Sequence, residues 1–360
     1  MSIETPRNKT FTVLSCIGII LVMLGHLDFD VLTFGGLFPY YSYHVLIFVF
    51  IAGYFYKPEE EQHIGAYLLR KAKKLLLPYY IFNLIFALVT YGLRLLGFDY
   101  GGEIDLYNLL LAPIMGGHHY MLLAPAWFAV ALFLLEACNI IARRLLSLIK
   151  INNEYLLMAL YLAVGIAAVW LAKRGSVYDY YKVPGRLMLM APALQFGRLY
   201  RAKLEEHDNM KSLPYFGILA AVNLLLTVTQ GSLAYSVVWV SGFAGSPLLP
   251  FITAFTGIML WLRISKILAG AIGNNRLVNY MGSHTFALMS LHLTVFFMVT
   301  AILVLFGANV DMEQFKSSVY YAFTPPGVEG FKWIYMAAGV MIVLGVSRLY
   351  EMIKNRLVKR

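Results

Sequence analysis

Long apolar stretches separated by short charged ones dominate this sequence of 360 residues. Because the bilayer core offers the backbone no hydrogen-bond partners, an apolar stretch of about 20 residues crosses it as a helix. Hydrophobic residues make up 60% of the chain and charged residues 13%, whereas ordinary soluble domains carry about 25% charged residues. This balance excludes a soluble enzyme and a disordered chain. We therefore expect an all-α, polytopic membrane protein.

The apolar stretches predict about ten transmembrane helices in one integral membrane domain over residues 1–360. The first stretch follows Lys9 and is longer than the apolar region of a usual signal peptide, with no small-x-small cleavage site, so we interpret it as a retained span. Residues 60–74 predict an amphipathic helix lying along the membrane. The predicted spans are 11–28, 38–56, 75–97, 120–142, 154–172, 186–200, 212–230, 248–264, 284–306 and 331–350.

The distribution of lysine and arginine predicts the orientation of these spans. If the amino terminus lies inside, the inner segments hold 22 of the 29 Lys and Arg residues. Positive residues accumulate in cytoplasmic loops, so we expect both termini to lie inside. The net charge of +10 is then explained by topology and by contacts with anionic headgroups or a phosphorylated ligand, not by nucleic acid.

Two histidines lie inside neighbouring predicted spans and are the strongest catalytic candidates. His26 is near the outer end of span one, and His44 enters span two from the same side. Ionisable groups in the bilayer are costly, and neutral imidazole can accept a proton from a hydroxyl at physiological pH. Ser15 is eleven residues before His26, close to three turns, and so shares its helix face. That face could border a slot through the membrane or pack closely against another helix. A metal site is also open, but no third ligand has a recognisable spacing.

Two further ionisable residues lie in later spans. Glu136 is in the inner half of span four, where it could pair with Arg143 or Arg144 or take part in catalysis. His292 is in the middle of span nine, where it could bond to a neighbouring helix or support the site. We keep both readings for each residue.

A basic run, Arg70 to Lys74, precedes Pro78 and Tyr79 on the predicted inner face. It is either a patch that sets topology or a cradle for the phosphates of a cytoplasmic donor. Tyrosines near the predicted interfaces, including Tyr43 and Tyr79, either form an aromatic belt or line a polar cleft. The sequence has no phosphate-binding glycine loop, no Gly-x-Ser-x-Gly elbow and no His-Glu-x-x-His motif.

Five blocks recur in the order of a known family: IGIILVMLGH at 17–26, HVLIFVFIAGYF at 44–55, RKAKKLLLPY at 70–79, AWFAVALF at 126–133 and NYMGSHTFALMSLH at 279–292. In these blocks the chain resembles the membrane acyltransferase-3 family, which includes O-acetyltransferases of bacterial surface glycans such as fucose O-acetylase-like proteins. The first block ends in His26, at the place of the family's essential histidine. The chain departs from the pattern at Ser15, where the family commonly has Arg or Lys, and at Thr285, where Ser is usual.

This resemblance implies a multi-pass O-acyltransferase of the bacterial cytoplasmic (inner) membrane. An acyl group, expected to be acetyl, would move from cytoplasmic acyl-CoA to a hydroxyl of a cell-surface or lipid-linked glycan, with no tightly bound cofactor, metal or nucleic acid. His26 would act as general base or transient acyl carrier, and His44 would orient it or stabilise developing charge. The resemblance assigns donor binding to Ser15, Arg70, Lys73, Lys74 and Tyr79, acceptor binding to Tyr43 and Trp127, and support to Glu136 and His292.

Two other functions remain open at this level. The chain could be a non-catalytic transporter of glycans or lipid-linked sugars, with His and Tyr residues lining a permeation path. It could also be a sensor or assembly subunit of an envelope complex. The ordered blocks with His26 and the inner basic run favour the enzyme.

Overall fold

A computed structural model of the protein describes residues 8–116, 119–323 and 325–358. Their secondary structure is helical apart from two isolated β-bridges, which join Gly101 to Tyr120 and Ser236 to Ser241. The α-helices are α1 (Lys9–His26), α2 (His44–Tyr54), α3 (Ile64–Lys71), α4 (Leu77–Leu95), α5 (Trp127–Leu148), α6 (Glu154–Lys173), α7 (Lys182–Leu199), α8 (Ser212–Gln230), α9 (Leu249–Ile272), α10 (Arg276–Ser283), α11 (Thr285–Leu305), α12 (Met312–Ser317), α13 (Val319–Phe323) and α14 (Lys332–Val358).

Each predicted span coincides with a helical segment, and eight helices in the described part of the chain are long and apolar enough to cross a membrane. This confirms an all-α, multi-pass membrane protein. Three helices run at least six residues past their predicted ends, since α5 continues to Leu148, α9 to Ile272 and α14 to Val358. The eight are Lys9–His26, Ile64–Leu95, Met121–Leu148, Glu154–Lys173, Ser212–Gln230, Leu249–Ile272, Thr285–Leu305 and Lys332–Leu357.

The predicted second span, 38–56, is shorter and is broken near its start. A 3-10 turn over Tyr40–Ser42 ends at Tyr43, whose φ of −148° leaves helical geometry, and α2 then has 11 residues. At 1.5 Å per residue α2 is about 16 Å long, roughly half the hydrocarbon thickness. Within 38–56 the structure therefore has a short apolar helical segment, Tyr40–Tyr54, interrupted at Tyr43, where one continuous helix was expected.

The predicted sixth span, 186–200, begins earlier than expected, as α7 starts at Lys182 and has 18 residues. It is not among the eight apolar helices because it carries polar side chains such as Arg186 and Gln195, which are buried against protein. Its contacts are extensive with both α2 and α6. The polar side chains within this apolar stretch are therefore those of a helix, α7, that is packed inside the bundle.

Reciprocal glycines bring α2 and α7 into close backbone contact. A Cβ at Gly53 would strike the backbone of Leu194, and a Cβ at Gly197 would strike the backbone of Phe50. Small residues at a helix crossing let the backbones approach, as is common between membrane helices. This close packing holds the short α2 beside the core of the bundle.

The helix predicted to lie along the membrane over 60–74 is not a separate element. A 3-10 turn over Pro58–Gln62 is followed by α3, a π-helical stretch over Ala72–Leu76 and then α4. Residues Ile64–Leu95 form one helical run of 32 residues. The amphipathic residues that predicted an interfacial helix form the first turns of this run, where Lys71 and Glu136 of α5 form an ion pair.

Helix α1 lies at the centre of the arrangement that positions the candidate site. Asn8 caps it by accepting hydrogen bonds from the backbone N–H of Thr10 and Phe11, at 3.1 and 3.4 Å. The helix contacts α2, α9, α10 and α11. A face of α1 is thereby surrounded by protein along its length.

Candidate active site

A cavity of about 1430 Å³ follows α1 from Asn8, just before its first residue, to Asp28, just after its last. Since α1 has 18 residues, this lining extends along about 27 Å of helix. We call the end that holds Asn8 and Lys71 the Lys71 end, and the end that holds Asp28 and Trp127 the Trp127 end. The cavity is thus lined along a distance comparable to the hydrocarbon core.

The residues of α1 that line the cavity recur at helical spacing. They are Phe11, Thr12, Ser15, Ile19, Val22, Gly25 and His26. The structure thus places Ser15 and His26 on one face, with Ser15 nearer the Lys71 end. The Ser15 hydroxyl donates to the Phe11 carbonyl oxygen at 2.8 Å, so its hydrogen is already used within α1.

The imidazole Nδ1 atoms of three histidines lie against main-chain carbonyl oxygens four residues earlier. His26 Nδ1 is 2.9 Å from Val22 O, His44 Nδ1 is 2.7 Å from Tyr40 O, and His292 Nδ1 is 2.7 Å from Leu288 O. Because a carbonyl oxygen only accepts, we assign the hydrogen to Nδ1 in each neutral ring. In each of the three rings Nε2 therefore keeps its lone pair.

His26 and His292 are in direct contact. His292 Nε2 lies 3.2 Å from His26 Nδ1, and the ring centroids are 5.0 Å apart. His292 is fully buried and is outside the cavity lining, whereas His26 is half-buried and lines it. The neighbouring helix that the sequence left unspecified for His292 is therefore α1.

His44 also lines the cavity, as the sequence expectation of a shared site requires. Its ring lies edge-on to Tyr41, with centroids 5.6 Å apart. With its hydrogen directed at Tyr40 O, neutral His44 offers Nε2 as an acceptor and cannot donate to a developing oxyanion. Of the two roles expected for His44, this geometry favours orientation, in which His44 accepts a hydrogen bond.

The Lys71 end of the cavity carries both basic and acidic groups. Lys71, Lys74, Asn8, Ser283 and Glu136 all line it. Lys71 Nζ donates to Glu136 Oε1 in an ion pair. Lys71 was not expected as the partner of Glu136. The side chain of Lys71 is 23% exposed and that of Glu136 is 3% exposed.

Arg143, one of the two arginines expected beside Glu136, belongs to another network. Arg143 bonds Glu61 Oε1 at 3.0 Å and Glu154 Oε1 at 3.0 Å. Glu154 also accepts from Arg198 at 3.1 Å. Arg143 is thus buried among carboxylates that satisfy its charge, and Glu136 is left to Lys71.

Three of the residues assigned to donor binding do not line the cavity. Arg70 bonds Glu60 at 2.8 Å with its own side chain 54% exposed, and Lys73 is exposed. Tyr79 is buried among other side chains. Only Lys74 and Ser15 of the assigned set line the cavity, together with the missed Lys71. Lys74 and Leu75 are three and four residues after Lys71, so the three share one face of the helix. This spacing could have distinguished them from Arg70 and Lys73, which lie to one side of that face.

The Trp127 end is lined by aromatic residues, but Tyr43 is not one of them. Tyr43 is fully buried, its hydroxyl donates to Phe38 O at 2.9 Å, and it accepts from Trp261 Nε1 at 3.1 Å. The expected acceptor contact is therefore corrected, because the break in the helix at Tyr43 turns this ring into the core. Tyr41, two residues earlier, lines the cavity instead and donates to Gly25 O.

Trp127 lines the cavity, and Arg186 packs over its ring in a cation–π contact. The guanidinium carbon lies 5.0 Å from the Trp127 ring centroid, and Arg186 Nε donates to Val238 O at 2.6 Å. The cavity is also lined by residues 234–239, an irregular segment that no sequence pattern indicated. Arg186 thereby fastens this segment and Trp127 to each other.

No group of three or more His, Cys, Asp or Glu side chains among residues 8–116, 119–323 and 325–358 has the arrangement of a metal site. The chemistry available at the cavity is that of two imidazole lone pairs, two carboxylates and two ammonium groups. Such a set can move a proton to or from a hydroxyl and can attract an anion.

Comparison with curated proteins finds no match, and comparison with solved structures finds none. An acyltransferase domain, the acyltransferase-3 family model, matches residues 9–350. The match begins at the first residue of α1 and ends within α14. It therefore includes every element that lines the cavity. The chain is an integral, multi-pass membrane acyltransferase that belongs to the acyltransferase-3 family.

Proposed function

We propose that the protein transfers an acetyl group from cytoplasmic acetyl-CoA to a hydroxyl of a cell-surface or lipid-linked glycan, in the bacterial inner membrane. The observation that carries this proposal is the cavity, whose lining runs from Lys71 past His26 to Trp127. A donor and an acceptor that enter from opposite ends of such a cavity can meet at one histidine without either crossing the bilayer.

The Lys71 end suits the donor. The lysine and arginine distribution supports a cytoplasmic position for this end, on the side where acyl-CoA is made. The ammonium groups of Lys71 and Lys74 can attract phosphate oxygens of coenzyme A. Beyond them the lining is largely apolar up to His26, with Ile19, Val22, Phe48 and Ile51 among its members. A slender, mostly uncharged pantetheine arm fits such a lining better than a sugar does.

The Trp127 end suits the acceptor. Trp127, Trp239 and Tyr41 line it, and aromatic faces pack well against the apolar faces of sugar rings. Asp28 adds a carboxylate that can accept hydrogen bonds from hydroxyls. The acceptor hydroxyl would then reach His26 and His44 from this end.

The chemistry follows from the assigned tautomers. His26 Nε2 accepts the proton of the acceptor hydroxyl while the oxygen attacks the thioester carbonyl carbon. The new C–O bond forms, the C–S bond breaks, and the coenzyme A thiolate takes the proton from His26 Nε2. His44 Nε2 can accept a hydrogen bond from the same sugar and so orient it. The step is balanced with no tightly bound cofactor and no metal.

The test measures coenzyme A release from radiolabelled acetyl-CoA by the purified protein, with and without a glycan acceptor. The proposal expects release that depends on the glycan and falls by about 100-fold or more in His26→Ala. Ser290→Ala is the matched control, because Ser290 is fully buried outside the cavity lining and its variant should keep the wild-type rate. Retained glycan acetylation by correctly inserted His26→Ala would refute the role. Movement of a lipid-linked sugar without any acyl donor would instead indicate a transporter.

A further inference from the structure

We propose that His292 is a positioning residue for His26. In this proposal, which rests on the proposed acyl transfer, the buried ring holds His26 in the tautomer that directs the Nε2 lone pair into the cavity. The carrying observation is the 3.2 Å contact between His292 Nε2 and His26 Nδ1. No sequence pattern joins these residues, which are 266 positions apart.

The hydrogen bonds around the two rings admit one consistent assignment. Leu288 O is 2.7 Å from His292 Nδ1, so that nitrogen donates and His292 Nε2 must accept. His26 Nδ1 donates to Val22 O at 2.9 Å and faces His292 Nε2 at 3.2 Å. Its hydrogen is therefore shared between a carbonyl oxygen and an imidazole nitrogen. The other His26 tautomer, with its hydrogen on Nε2, would direct the Nδ1 lone pair at Val22 O and at His292 Nε2. Both contacts would then be repulsive, so this tautomer is disfavoured.

Burial shows that His292 acts through His26 and not on a substrate. Its side chain is fully buried and is outside the cavity lining. Phe296, one turn later on α11, packs against the ring with centroids 5.4 Å apart. A ring confined in this way cannot swing toward the cavity, so it provides a fixed acceptor behind His26.

The same contact becomes stronger when His26 takes up a proton. Protonation at Nε2 places a positive charge on the ring, and the Nδ1–H bond to His292 Nε2 becomes charge-assisted. His292 itself neither gains nor loses a proton, because its Nδ1 keeps its hydrogen and donates it to Leu288 O. His44 and Asp28 also line the cavity at this end of α1. Neutral His44 offers an acceptor nitrogen that does not oppose the charge on His26, and the Asp28 carboxylate has the opposite sign. His292 thus stabilises the intermediate charge without reaching the reacting atoms.

Two substitutions at one position test the proposal. His292→Leu removes the acceptor, whereas His292→Gln keeps a side-chain oxygen that can accept from His26 Nδ1. We expect kcat to fall by about 10- to 100-fold in the Leu variant with the KM for acetyl-CoA unchanged, and to recover most of its value in the Gln variant. Ser290→Ala, on the same helix, is the control for general effects of altering the interior of α11.

Thermal unfolding in detergent separates this role from a packing role. Equal losses of kcat in the Leu and Gln variants that follow their losses of thermal stability would overturn the proposal, as would a Leu variant with the wild-type kcat. Both outcomes are judged only against a wild type whose release depends on the glycan and on His26. A wild type without such release would refute the acyl-transfer proposal itself, which keeps the two failures distinguishable.

Discussion

Truncation of Lys71 is expected to have two separable effects, one on folding and one on the donor. Lys71→Ala removes the partner of Glu136, which is 2% exposed and whose Oε2 has no hydrogen-bond partner among the described residues. Breaking a buried pair by deleting one partner costs about 3 to 5 kcal/mol. The cavity lets water approach Glu136, so we expect the lower figure, about 3 kcal/mol.

The effect on the donor is smaller and appears in KM. If Lys71 also contacts a phosphate of coenzyme A, its loss removes one charged hydrogen bond worth about 1.5 kcal/mol. The KM for acetyl-CoA should then rise by about tenfold. Lys73→Ala is the matched control, because Lys73 lies two residues away but is exposed and outside the lining.

A double variant separates the two effects. In Lys71→Ala/Glu136→Gln no buried carboxylate remains unpaired, so most of the lost stability should return while the raised KM persists. The assays are thermal unfolding in detergent and coenzyme A release at varied acetyl-CoA. The reasoning fails if the double variant is as unstable as Lys71→Ala, or if Lys71→Ala has the same KM as Lys73→Ala.

Two further substitutions test the route and the fold. Ser15→Trp places a bulky ring in the cavity about 16 Å from His26 and should abolish acetyl-CoA turnover. Ser15→Ala should keep turnover, since the Ser15 hydroxyl bonds only Phe11 O. Turnover by a stable Trp variant would argue against this route. For Asp208, burial opposes the charge, but hydrogen bonds from Lys266 and Tyr200 hold its pKa below the usual range. Asp208→Asn should therefore lower the thermal unfolding temperature above about pH 5. The difference in unfolding temperature between variant and wild type should disappear as the pH falls below the ordinary aspartate pKa of about 3.9. A difference in unfolding temperature that is independent of pH would contradict this.

The membrane fold and one face of α1 could be predicted from the sequence because both depend on local periodicity. An apolar stretch of sufficient length must be helical in lipid, and residues eleven apart share a helix face. The sequence therefore placed Ser15 and His26 together. It failed at α2, where the break at Tyr43 depends on how that ring packs beside Gly257 of α9.

Partners distant in the chain could not be predicted in this way. Glu136 pairs with a residue 65 positions away, and His26 meets one 266 positions away. The nearby Arg143 and Arg144 made a local ion pair with Glu136 plausible, but Arg143 forms ion pairs with Glu61 and Glu154. The lining segment 234–239 has no regular secondary structure and so no period to detect. These features are set by tertiary packing.

The most direct measurement of the central claim is a sided assay in sealed vesicles that contain the protein in one known orientation. Radiolabelled acetyl-CoA is confined to one side and a glycan acceptor to the other. We predict that label reaches the acceptor only when acetyl-CoA is on the side of the Lys71 end, and that His26→Ala abolishes this transfer. Label that reaches the acceptor only when both substrates share one side would contradict the account.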